Sequence, residues 1–103
     1  MPTRPPRLIV RDASGNDREL EIARTPFTLG RQGDNELVLF DNRISRRHAR
    51  IWREGESFMV EDLGSVNGTV VNDLIRLEPR QPRVLDSGDR IRMGETTLHF
   101  LVG

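Results

Sequence analysis

HARIWREGESFMVEDLGSVNGTVV, residues 48–71, holds three short apolar runs separated by polar, glycine-bearing turns. His48-Ala49-Arg50-Ile51-Trp52 and Phe58-Met59-Val60 read as strands joined at Glu54-Gly55-Glu56, and Val70-Val71 as a further strand entered through Asn67-Gly68, a strong hairpin signal. Outward from this stretch the same grammar continues. Leu8-Ile9-Val10 stops at the polar loop Asp12-Ala13-Ser14-Gly15-Asn16-Asp17. Glu19 to Ile22 alternates, with Leu20 and Ile22 suited to the inside and Glu19 and Glu21 to water. Phe27 and Leu29 repeat the pattern until Gly30, and Leu37-Val38-Leu39-Phe40 follows. Downstream come Leu74-Ile75, Val84-Leu85, Asp89 to Met93 and Thr96 to Val102, with turns at Ser87-Gly88 and Met93-Gly94-Glu95. No stretch carries apolar residues at helical spacing over three turns. About ten short strands punctuated in this way predict an all-β antiparallel sandwich or barrel, with binding chemistry on its loops.

The chain of 103 residues is sized for one domain. Pro2-Thr3-Arg4-Pro5-Pro6 suits neither a helix nor an inner strand, so residues 1–6 read as a flexible leader and 7–103 as the domain. Sixteen basic residues, all of them arginine, balance sixteen acidic ones, so no net field draws the chain to nucleic acid or anionic lipid, and any anion site must be local. With no cysteine there is no thiol nucleophile, disulfide or thiolate metal site. No apolar run approaches the roughly 18 residues of a membrane span. A cytoplasmic monomer without metal or cofactor is the expectation.

Four loop clusters stand out: Gly30-Arg31, Ser45-Arg46-Arg47-His48, Gly64-Ser65 and Val66-Asn67-Gly68-Thr69. A phosphate near neutral pH carries about −1.5 to −2 charges and three strong acceptor oxygens, so a cradle for it needs a fixed cation and neutral donors from several directions. Arg31 supplies a planar fork, and Gly30 removes a side chain where backbone must turn or approach closely. Ser45 offers a hydroxyl. Each cluster alone has a plainer reading: a solvated arginine after a turn glycine, or a hairpin at Asn67-Gly68 that needs no function. A triad of Ser45, His48 and Asp62 is disfavoured, since a serine three residues before its base matches no known triad order. His48 and His99 without a supporting cluster make a poor metal site.

In this order and spacing, the Gly-Arg, Ser-x-x-His and Asn-Gly elements resemble the forkhead-associated (FHA) domain family from about Leu8 to Val102. Asp62-Leu63-Gly64-Ser65 and Asp86-Ser87-Gly88-Asp89-Arg90-Ile91 resemble the family's accompanying runs. The resemblance implies an eleven-stranded antiparallel β-sandwich whose loops at one end bind a phosphothreonine peptide. It implies that Arg31 and Ser45 contact the phosphate, joined by Arg46, that Asn67 bonds the peptide backbone, and that His48, with Gly30 and Gly68, holds the loops. Arg47 is expected to face away, because adjacent extended residues point to opposite sides.

Many members carry threonine or serine where this chain has Val66, so either Ser65 reaches the phosphate in its place or the site has one hydrogen bond fewer; alternatively Val66 lines the pocket for the threonine methyl. Arg43 stands where the family often reads a residue about three positions after the phosphothreonine, and favours an acidic one. The implied partners are a phosphothreonine-containing protein and an upstream serine/threonine kinase. No enzyme activity is expected, as no nucleophile, base and oxyanion set can be assembled. Two alternatives remain: phosphate-independent protein binding on another face, and nucleic-acid binding through Arg43, Arg46, Arg47, Arg50 and Arg53.

Overall fold

The computed structural model describes residues 5–103, which form eleven strands in two sheets and no helix. In chain order the strands are β1 (Arg7–Arg11), β2 (Asp17–Glu21), β3 (Phe27–Gly30), β4 (Leu37–Val38), β5 (Ala49–Glu54), β6 (Ser57–Asp62), β7 (Val70–Val71), β8 (Ile75–Arg76), β9 (Arg83–Leu85), β10 (Arg90–Met93) and β11 (Thr96–Leu101). One sheet runs β2-β1-β11-β10-β7-β8 and the other β4-β3-β5-β6-β9.

Alternation along the strands builds the core. Leu8 and Val10 of β1, Leu98 and Phe100 of β11 and Ile91 and Met93 of β10 face Leu29, Ile51, Val60 and Leu85 of the opposite sheet. Each such buried side chain contributes about 1.5–3 kcal/mol relative to exposure, which outweighs any single loop contact in holding the sheets together.

The structure departs from the sequence expectations in four places. The sandwich is not wholly antiparallel: β3 and β4 pair in parallel, Leu29 opposite Leu37. Strand pairing in Leu37–Phe40 covers only the first two residues; Leu39 turns into the core, and Phe40 is left 90% exposed. Leu74 lies in an exposed turn rather than a strand, after Asn72 and Asp73 in the left-handed region, φ 54° and 62°, as tight hairpin turns require. Pro6 is buried and its carbonyl accepts the Ile22 amide at 2.8 Å, so the chain is tied down within the expected leader, whose residues 1–4 lie outside the described part.

Both sheets deliver their loops to one end. The segment between β4 and β5 is pinned there by buried Leu39 and Ile44, while Phe40, Asn42 and Arg43 between them point to solvent. That arrangement gives an exposed loop a fixed backbone.

Candidate anion-binding site

The site starts from a close backbone approach. Beyond β3, the Arg31 amide donates to Ser45 O at 3.0 Å and the Gln32 amide to Arg46 O at 3.2 Å. A Cβ on Gly30 would lie 2.1 Å from Arg46 O, so only glycine admits this contact. Asn35, which the sequence did not single out, clamps the same carbonyl: its Nδ2 donates to Arg46 O at 2.8 Å and Gln32 O at 2.7 Å from a buried position.

Ser45 and Val66 then join the second and third loops. Ser45 Oγ accepts the Val66 amide at 3.0 Å, which leaves the hydroxyl hydrogen free to donate to a ligand. Asn67 Nδ2 donates to Arg43 O at 2.8 Å, and the rest of this exposed amide faces solvent. Arg31 Nε donates to Ile44 O at 3.1 Å, which restrains its guanidinium and leaves both Nη groups without a partner among the described residues.

An open groove of about 440 Å³ results, lined by Arg31, Ser45, Arg46, Val66 and Asn67 together with Arg43 and Arg47. No acidic side chain lines it. Arg43 is paired with Glu95 and Arg47 with Asp34, whereas Arg31 and Arg46 have no carboxylate partner among the described residues. Arg47 therefore borders the groove instead of facing away, but its charge is already answered. Arg43 is likewise paired, but at an exposed position, where an acidic ligand residue competes with Glu95 for its guanidinium.

Ser65 stays out of the groove, contrary to the idea that it substitutes for Val66. Its hydroxyl donates to Asp62 Oδ2 and accepts the Gly68 amide at 2.9 Å, so neither its proton nor its position is available to a phosphate.

Beneath the groove, His48 and Asp62 hold the loops. His48 is fully buried; its Nδ1 accepts the Ser45 amide at 3.0 Å, so the ring proton sits on Nε2 and donates to Gly68 O at 2.9 Å. One ring thus bridges the Ser45 loop to the Asn67-Gly68 turn. The Ser45 hydroxyl makes no bond to that ring, so the triad geometry is not formed. Gly68 itself adopts φ 89°, a left-handed conformation that disfavours other residues.

Burial pushes the His48 pKa below its ordinary value, against smaller opposing effects of the Gly68 carbonyl and the Asp62 and Asp41 charges. A base with a depressed folded pKa binds its proton first in the unfolded chain, so its contribution is complete above about pH 6.5 and declines as the pH falls from there to the folded value. Urea midpoints measured across that window should fall with pH in the parent chain and fall less steeply in His48→Gln; equal slopes would show that His48 does not titrate this way.

The arginines of the nucleic-acid alternative do not form one surface. Arg43, Arg46 and Arg47 ring the groove, while Arg50 is paired with Glu61 and lies over Trp52 on the outer face of the second sheet, and Arg53 lies over Phe58. Among the described residues no group of histidines and carboxylates is arranged to hold a metal ion, and no helix is long and apolar enough to cross a membrane.

The family model for the FHA domain matches residues 27–94. An oxoglutarate dehydrogenase inhibitor of Corynebacterium diphtheriae is 38% identical over 96 residues, 93% of this chain and 64% of the relative. The chain thus spans less than two thirds of that relative's length. The solved FHA domain of FhaA, complexed with the intracellular domain of Rv3910, superposes with a TM-score of 0.76 at 34% identity, covering 92% of this chain and 98% of that one. The MEK1 FHA domain in complex with a HOP1 phosphothreonine peptide gives a TM-score of 0.80 at 26% identity, with coverages of 97% and 98%.

Proposed function

The chain belongs to the FHA domain family, and on that footing we propose that its loop end binds a phosphorylated threonine of a partner protein marked by a serine/threonine kinase. The observation that carries this is the groove without acidic lining, in which Arg31 and Arg46 stand unpaired beside the Ser45 hydroxyl and the Asn67 amide. A dianion fits that donor set: the two guanidinium groups supply charge and the hydroxyl supplies direction, while the Asn67 amide serves the peptide backbone beside it. Nothing in the groove resembles a nucleophile with its base, so the role is binding rather than catalysis, in keeping with a relative named as an inhibitor. A cytoplasmic location goes with this reading, as kinase and client would meet the domain there.

Titration with matched peptides carrying threonine, phosphothreonine or phosphoserine tests the proposal. Binding that requires the phosphate and prefers phosphothreonine is expected; equal affinity for the phosphorylated and unphosphorylated forms would overturn it. Val66 lines the groove without a donor and is 83% exposed. Val66→Thr is therefore expected to tighten phosphopeptide binding by about twofold to tenfold, the value of one added hydrogen bond. If its hydroxyl does not reach the phosphate, the measured affinity will not change.

A second reading rests on a different face. Trp52, Met59 and Val84 stand opposite one another across β5, β6 and β9, outward from the core; the first two are half-buried and Val84 is 48% exposed. Such a row suits phosphate-independent protein contact. Partner binding that survives phosphatase treatment and is lost in Trp52→Ala would support it.

A further inference from the structure

Beside the anion groove lies a larger one of about 690 Å³, between the β1–β2 loop and the Leu39–Arg43 segment. The two share Asn42 and Arg43 along a common edge, so a peptide several residues long can reach from one to the other. Their electrostatics are opposite. Asp12, Asp17, Asp41 and Glu95 line the larger groove against Arg18 and Arg43. Asp17 is neutralised by Arg11 and Glu95 by Arg43, but Asp12 and Asp41 have no cationic partner among the described residues. Backbone amides hold these two in place: Asp12 Oδ1 accepts from Ser14 and Asn16, and Asp41 accepts from Arg43 and Glu95. Those bonds orient the carboxylates and leave their charge uncancelled.

Phe40 lines the same groove and is 90% exposed, although its neighbour Leu39 is buried. An aromatic ring held out on a pinned loop, next to two fixed negative charges, suits a long cationic side chain whose stem packs on the ring and whose head reaches the carboxylates. We propose that this groove receives a lysine or arginine of the same phosphopeptide, several residues along from the phosphothreonine. The inference rests on the phosphate-binding reading above and gives that site a partner class: a phosphorylated segment flanked by basic residues. Arg43 stands at the edge the two grooves share, between the unpaired arginines of the first and the carboxylates of the second.

The test uses the intact chain and phosphothreonine peptides extended on either side, with arginine, alanine or glutamate placed at successive flanking positions, read by fluorescence anisotropy. At the position that reaches the groove, arginine is expected to bind about threefold to tenfold more tightly than alanine, the range for one exposed charge and ring contact, and glutamate more weakly. The gain should vanish in Phe40→Ala and shrink in Asp12→Asn, which keeps the acceptor that shapes the loop. Equal affinity for the arginine, alanine and glutamate series, with phosphate dependence intact, overturns this inference alone, as does a gain that survives both substitutions. Equal binding of phosphorylated and unphosphorylated arginine peptides overturns the reading of the anion groove on which it rests.

Discussion

Replacing Arg31 by alanine is expected to weaken phosphothreonine-peptide binding by roughly 100-fold, the consequence of removing a charge-assisted, multiply bonded contact of about 2–3 kcal/mol. The backbone of Arg31 is fixed by the hydrogen bond its N–H donates to Ser45 O, and its side chain is aimed by the one Nε donates to Ile44 O. Little ordering remains to be done when a phosphate arrives, so the full strength of the fork is available to the ligand. The residue is exposed and has no carboxylate partner among the described residues, so its removal should leave the urea midpoint almost unchanged. Arg31→Lys separates charge from geometry: it keeps a cation but loses the Nε tether and the planar pair of donors, and should recover only part of the affinity. Isothermal titration of the three proteins with one phosphopeptide checks the order. An alanine variant within threefold of the parent would mean that the phosphate is held elsewhere.

Asp62→Ala is expected to cost about 3 kcal/mol or more of stability, because it strips the partner from several buried and half-buried donors at once. Asp62 Oδ1 accepts the Gly64 and Ser65 amides, and Oδ2 accepts the Ser65 and Thr69 hydroxyls. Burial pushes the carboxyl pKa up, but these hydrogen bonds outweigh it and hold the group below its ordinary value. The sign follows. A carboxylate with a depressed folded pKa contributes stability that is present above the ordinary carboxylate range and is lost as the pH falls through the folded value. Acid unfolding should therefore include Asp62, and the alanine variant should lose part of the parent's stability dependence below the ordinary carboxylate range. Asp62→Asn, which keeps one acceptor and lets the hydroxyls turn, should cost less than alanine. Urea denaturation near neutral pH decides; an alanine variant within about 1 kcal/mol of the parent would show that water replaces the carboxylate without difficulty.

What the sequence disclosed depended on range. Strands such as Thr96 to Leu101 and Glu19 to Glu21 announce themselves through local alternation, because a pleated backbone sends successive side chains to opposite faces. The gathering of Arg31, Ser45 and Asn67 was legible only through the order of their motifs, since no local pattern tells where three turns meet. Leu37–Phe40 misled because four consecutive apolar residues fit either a long strand or a pinned loop; Leu39 and Phe40 differ only in which way the chain turns after Val38. The pairing of Arg43 with Glu95 joins positions 52 residues apart, and the bond from the Glu95 amide to Asp41 spans 54. Neither contact leaves a mark on its own stretch of sequence, yet together they fix what surrounds Arg43. Of the alternatives open at Val66, the one through Ser65 fails for a similar reason: a serine beside a binding turn looks like a donor until its hydroxyl is found to serve Asp62 and Gly68.

A structure of the chain bound to a phosphothreonine peptide is the most direct measurement. The phosphorus atom should lie between the outward Nη groups of Arg31, the Ser45 hydroxyl and the Arg46 side chain, with Asn67 on the peptide backbone. A phosphate seated outside this groove, with neither Arg31 nor Ser45 in contact with it, would contradict the account.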